Sequence, residues 1–171
     1  ITSIFQNMAE SGGFESRNLS IGLDILQSMQ TDGQCTKFLS FVGALISTGV
    51  RGIIRDMIKN KMFDCIITTC GALDHDIART YGNYYAGEFG LNDYSLFKKK
   101  IHRLGNVLIP IHNYGPLIEE KVQACLKDLY YKEGKRGIST YEIVDYIGST
   151  LSQSSFLYLS LIHISEPTRP Y

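Results

Sequence analysis

T-K-F-L-S-F-V-G-A-L-I-S-T-G, residues 36–49, is the stretch on which the fold turns. Residues 36–42 are rich in β-formers and nearly continuous in hydrophobicity. That pattern predicts a strand covered on both faces, as in a parallel sheet. The run breaks into the small residues 43–49, read as a loop, and behind them Val50, Ile53, Ile54, Met57 and Ile58 fall on one helical face. Lys59 and Lys61 stand at the end of that helix, where cations suit the dipole. The same order returns further on. An apolar strand over 63–68 runs into a loop, T-T-C-G-A-L-D-H-D at 68–76, and a helix is expected to begin near Asp74, an acid suited to a first turn. Strand, loop, helix, twice over with short connections, is the alternation of an α/β, doubly wound parallel sheet.

The flanks fit one domain over 1–158. Towards the N-terminus, a helix over 17–30 follows a turn at 11–14 and ends at 31–33. Towards the C-terminus come a strand candidate at 84–89 and a basic helix capped by Asn92-Asp93 and running through Lys100. A turn at 103–106 and a short buried run, V-L-I-P, follow. A long helix then spans Leu117 to Leu129 and stops at G-K-R-G, 134–137. Ser139 with Glu142 forms a capping box for a last helix over 141–147.

Composition is that of an ordinary globular chain: 171 residues, 44% hydrophobic and 20% charged. Lys plus Arg and Asp plus Glu both number 17, so charge gives no support to a nucleic-acid or membrane-surface role. No segment has the roughly 18 unbroken apolar residues of a spanning helix. The start resembles no export signal. The four cysteines, Cys35, Cys65, Cys70 and Cys125, lack zinc-like spacing and are read as reduced thiols of a cytoplasmic protein. No metal site is expected. Cys70 lies in the second loop, either as a small neutral lining residue or in a redox role.

Both ends look incomplete. The chain begins with Ile1, and 159–169 read L-S-L-I-H-I-S-E-P-T-R. Those letters match one frame of the transposon-end adapter used in DNA library preparation. Residues 159–171 are therefore expected to be a translated sequencing artefact, and His163 no site residue.

Ligands of an open parallel sheet bind beyond the carboxyl ends of its strands. Both loops lie there. The first offers backbone N–H groups and a helix start at Ser47-Thr48 to a phosphate. It is neither G-x-G-x-x-G nor a P-loop with its lysine. Equally, Gly43 and Gly49 could serve only tight helix–strand packing. In the second loop, carboxylates suit a cation such as an amine, and His75 could hold a proton. Equally, Asp74 could be a plain helix N-cap and Asp76 a solvated partner of Arg79.

Several motifs in series go further. C-T-K-F-L-S-F-V-G-A-L-I-S-T-G-V-R-G-I-I-R at 35–55, T-T-C-G-A-L-D-H-D-I-A-R at 68–79 and Y-Y-A-G-E-F at 84–89 resemble deoxyhypusine synthase, particularly its archaeal form. So do I-H-R-L-G-N-V-L-I-P at 101–110, N-Y at 113–114 and S-G-G-F at 11–14. The likeness runs in order from about residue 1 to 158. It implies a Rossmann-like domain, truncated here, of a homotetrameric enzyme with active sites between paired subunits. Such an enzyme oxidises spermidine with NAD and moves the aminobutyl group, through an imine on its own lysine, to a lysine of the translation initiation factor 5A precursor.

Mapped by motif, the resemblance makes Gly43, Ala44, Leu45, Ile46 and Ser47 the first NAD segment and Thr69, Cys70 and Gly71 the second. Asp74 and His75 match a pair of acids that meet the amine and the cofactor in eukaryotic members. Histidine replaces the second acid, which leaves open another amine, as in homospermidine-forming or agmatine-using relatives. The family's catalytic lysine lies in a G-G-G-x-x-K-H-like segment that nothing here matches. No catalytic residue is assigned, and the chain by itself is expected to be inactive. A non-catalytic subunit that pairs with an active one is the remaining alternative.

Overall fold

The computed structural model describes residues 2–134, 137–152 and 154–158. The expected artefact at 159–171, with His163, and Lys135-Arg136 of the helix stop lie outside the described residues.

Helices α1 (Thr2–Ser11) and α2 (Ser16–Thr31) pack on each other. The Gln30 amide donates to the Met62 carbonyl at 2.8 Å and ties α2 to the sheet region. Next come β1 (Phe38–Phe41), α3 (Ala44–Thr48), α4 (Arg51–Lys59), β2 (Cys65–Thr68) and α5 (Cys70–Tyr81). The two strands pair in parallel, Phe38 opposite Cys65 and Phe41 opposite Thr68. This is the α/β arrangement that residues 36–78 predict.

Four local expectations are corrected. Residues 43–49 are not a loop, because α3 starts directly behind Gly43, whose backbone is already helical. The Ser47 and Thr48 hydroxyls donate back to the Ala44 carbonyl, at 2.7 and 2.9 Å, and do not open a helix towards a phosphate. Nor does the second helix wait for Asp74. Thr69 is extended and stands at the N-cap, and α5 begins at Cys70 with no acid in its first turn. The small residues Cys70, Gly71 and Ala72 form that turn because it packs against Gly43. The strand is also not covered on both faces. Phe41 and Ile66 face the core, whereas Phe38 and Ile67 stay 57% and 56% exposed.

The second half holds a small antiparallel sheet of order β3-β5-β4: β3 (Tyr85–Ala86), β4 (Ile101–Leu104) and β5 (Val107–Pro110). The expected strand over 84–89 shrinks to β3. The turn expected at 103–106 narrows to Gly105-Asn106, because Arg103 is held in β4 by both oxygens of Asp93 at 2.6 and 2.8 Å. Between β3 and β4, α6 (Asp93–Lys98) is capped by Asn92, whose Oδ1 accepts from the Ser95 amide. It stops short of Lys100, which turns at φ 56°.

A 3₁₀ turn (Ile111–Asn113) leads into α7 (Gly115–Glu133), and α8 (Thr140–Thr150) follows. Gly134 ends α7 in the left-handed conformation (φ 59°), the helix stop that glycine supplies without strain. The Ser139–Glu142 capping box is present in both directions. The core gathers Ile46, Ile54, Ile58, Ala72 and Ile77 from α3, α4 and α5, closed by Ile147, Leu151, Phe156 and Leu157. Among the described residues no helix is long and apolar enough to cross a membrane.

Candidate functional site

The carboxyl ends of β1 and β2 lie side by side, and the segments that leave them touch backbone to backbone. The Gly43 amide donates to Thr69 Oγ1 at 2.9 Å. A Cβ on Gly43 would sit 2.5 Å from both the Gly71 carbonyl carbon and the Ala72 nitrogen. Glycine is thus demanded here by contact between the two segments, and the contact brings both expected cofactor segments together. At their surface Ala44, Leu45, Thr69 and Cys70 are exposed, whereas Ile46 and Ser47 are buried and have only backbone to offer. The Ile46 carbonyl is already taken, accepting from Arg79 Nη1 at 2.7 Å. Of the first amides of α5, that of Ala72 donates to the Thr69 carbonyl at 2.9 Å, and those of Cys70 and Gly71 precede the helix's own hydrogen bonds.

Asp74, His75 and Asp76 sit in the second turn of α5, and successive residues of a helix point about 100° apart. They therefore separate. Asp76 turns inward and is fully buried. It is not the solvated partner of Arg79. Its Oδ1 accepts from Arg51 Nε at 2.6 Å, and its Oδ2 accepts from Ser155 Oγ at 2.6 Å and the Leu157 amide at 3.0 Å. Arg51 also reaches Thr80 Oγ1 at 2.9 Å. This carboxylate joins α4, α5 and residues 155–157, a structural role with every acceptor used. Asp74 stands half-buried with no ion pair among the described residues, so its carboxylate is free for a cation. It is not an N-cap.

His75 has an aromatic box that sequence reading did not assign. Its Nδ1 lies 2.8 Å from the Tyr84 hydroxyl. Its ring stacks on Tyr114 at 4.9 Å between centroids and meets Tyr84 edge-on at 5.8 Å. The Arg79 guanidinium lies over the Tyr84 ring at 5.6 Å. Burial holds the His75 imidazolium below the usual histidine range, against a smaller upward pull from Asp74, while Arg79 adds to the depression. Burial foremost pushes the Tyr84 and Tyr114 phenols up. The site thus offers an imidazole held towards neutrality beside two phenols, one carboxylate, and the start of α5 a turn away. Tyr84 and Tyr114 both fall in motifs of the resemblance. No local pattern shows that they converge on His75, since Tyr114 reaches it from beyond the antiparallel sheet.

The family model for deoxyhypusine synthase matches residues 3–163. A relative from Picrophilus torridus named "Probable deoxyhypusine synthase" is 46% identical over 159 residues, covering 92% of this chain and 50% of the relative. Another of that name from Thermoplasma acidophilum is 43% identical, covering 91% and 49%. A crystal structure from Entamoeba histolytica described under the same family name superposes with a TM-score of 0.62 at 18% identity, over 90% of this chain and 52% of that one. That likeness shows the fold, an α/β domain with a parallel sheet. The chain spans about half the length of the curated relatives it matches. With nearly all of its residues inside the family match, the chain belongs to the deoxyhypusine synthase family.

Proposed function

We propose that the complete protein oxidises spermidine with NAD and transfers the aminobutyl group to a lysine of the translation initiation factor 5A precursor. The observation that carries this is the backbone contact of Gly43 with Gly71 and Ala72. It sets the two segments expected to meet the cofactor side by side at the carboxyl ends of parallel strands, where such sheets bind their ligands. NAD would lie along Gly43–Ser47 and Thr69–Gly71, touching the exposed Ala44, Leu45 and Cys70 and the buried residues through backbone only. When bound, NAD supplies the hydride acceptor. The chain's own part is to hold, orient and shield. The amides at the start of α5 favour negative charge. Asp74 holds one ammonium of the amine. Tyr84, Tyr114 and His75 wall the site.

The catalytic lysine and the second half of the amine site are assigned to the remainder of the complete protein, and the partner subunit of the homotetramer is a second copy of it. The compartment proposed is the cytoplasm, where the factor 5A precursor is made. A second reading rests on one observation: His75, held towards neutrality, leaves Asp74 as the one carboxylate of its pair. That favours an amine other than spermidine, in a homospermidine-forming or agmatine-using relative.

The test uses the complete protein with NAD, labelled spermidine and the precursor. Label on the precursor lysine is expected, with Asp74→Asn abolishing it. Label on a free amine product instead would establish the second reading. No turnover of any polyamine, with the lysine segment absent, would point to a non-catalytic subunit.

A further inference from the structure

His75 offers one ring nitrogen to Tyr84 and leaves the other unassigned. Its Nε2 makes no hydrogen bond among the described residues, yet no buried side-chain nitrogen or oxygen of the described residues lacks a partner. Nε2 is therefore open to the site. What it presents depends on which way the Tyr84 bond runs. Tyr84 Oη has no second partner among the described residues. If it accepted a proton from Nδ1, its own O–H would have to look outside the described residues for an acceptor. If it donates to Nδ1, both groups are used and the ring proton is confined to Nε2. Tyr114 stacked on the ring and Tyr84 edge-on to it leave the imidazole little room to flip.

We propose that Tyr84 is a positioning residue that fixes His75 as the Nε2–H tautomer, so that His75 donates to an oxygen of the cofactor and leaves the amine to Asp74 alone. This rests on the site reading above and divides its labour. A nitrogen that carries a proton repels an ammonium and suits a carbonyl or hydroxyl oxygen. The charged and titratable groups around the ring are Asp74 and Arg79 on α5, Tyr84 before β3, and Tyr114 before α7. None of them offers Nδ1 a competing acceptor within hydrogen-bond distance.

The experiment is made on the complete protein, with NAD and spermidine as the probes. Histidine labelled with ¹⁵N reports the tautomer, His75→Gln identifies the signal, and Tyr84→Phe removes the hydroxyl. The expected spectrum shows an acceptor-type Nδ1 and a protonated Nε2, and Tyr84→Phe turns it into a mixture of tautomers. Loss of one hydrogen bond should then weaken NAD binding by roughly three- to tenfold and leave spermidine binding unchanged. His75→Gln, which keeps an N–H donor, should retain more NAD affinity than His75→Leu. A spectrum with the proton on Nδ1, or a Tyr84→Phe variant that loses spermidine and keeps NAD, overturns the proposal. Asp74→Asn separates the two levels. If it leaves spermidine binding intact and the His75 variants leave NAD binding intact, the site reading itself has failed.

Discussion

Removing the Asp76 carboxylate strands Arg51, whose side chain is only 12% exposed, and withdraws the acceptor on which residues 155–157 converge. Breaking one side of a buried pair costs about 3–5 kcal/mol. Asp76→Ala is expected to lose that much in a urea titration, and a loss below about 1 kcal/mol would mean that the neighbours rearrange around the gap. His75 acts with pH. Its folded pKa is depressed, so the fold accommodates the neutral ring. Its contribution is complete above the ordinary value of about 6.5 and fades as pH falls through the folded value. Unfolding measured in steps of pH should show stability falling on the acid side, and His75→Gln should remove that part of the slope. No local rule separates Asp74, His75 and Asp76 in the sequence, since each is a polar residue in one short run. Asp76 is distinguished by partners 25 and 79 residues away, which is why its burial was not legible.

Elements fared better where their ends carry chemistry. The stop of α7 at Gly134 and the starts of α6 at Asn92 and α8 at Ser139 follow from caps that name themselves, whereas α6, whose end carries no such residue, stops short of the expected Lys100. Ser139→Ala should cost about 1 kcal/mol and fray α8 first, seen as faster amide exchange at its N-terminal end. The starts of α3 and α5 were missed for a shared reason. Gly-Ala and Cys-Gly-Ala are as compatible with a loop as with a helix, and only the contact between the two segments decides. Gly43→Ala tests that contact. Any Cβ there must push the segments apart, with an overpacking cost of about 1–3 kcal/mol. In the complete protein NAD affinity should drop with it, read by cofactor titration. A variant that binds NAD normally would show that the segments need not touch to hold it. Of the strand expected over 84–89, two residues remain as β3; what escaped prediction is β4 and the antiparallel pairing of both with β5.

At the scale of the whole molecule, the parallel pair is a sheet with one face open. Phe38 and Ile67 on that face, and Leu19, Ile25 and Leu26 on α2, remain exposed, and the chain spans about half of its relatives. Unpaired edges and bare apolar faces favour association. Expressed by itself, the 171-residue chain should aggregate and bind NAD poorly, checked by light scattering and titration. A soluble monomer with micromolar NAD affinity would show that this half is self-sufficient. The tie from Asp76 to residues 155–157 bears on the order of synthesis as well. A ribosome delivers the chain from its N-terminus, and domains settle as they emerge. Until α6, α7 and α8 have been made, the Asp76 carboxylate lacks the donors of Ser155 and Leu157, and Phe41 lacks the ring of Phe156. Contacts to β1 and α5, made early in synthesis, are therefore completed only when residues 155–157 leave the exit tunnel.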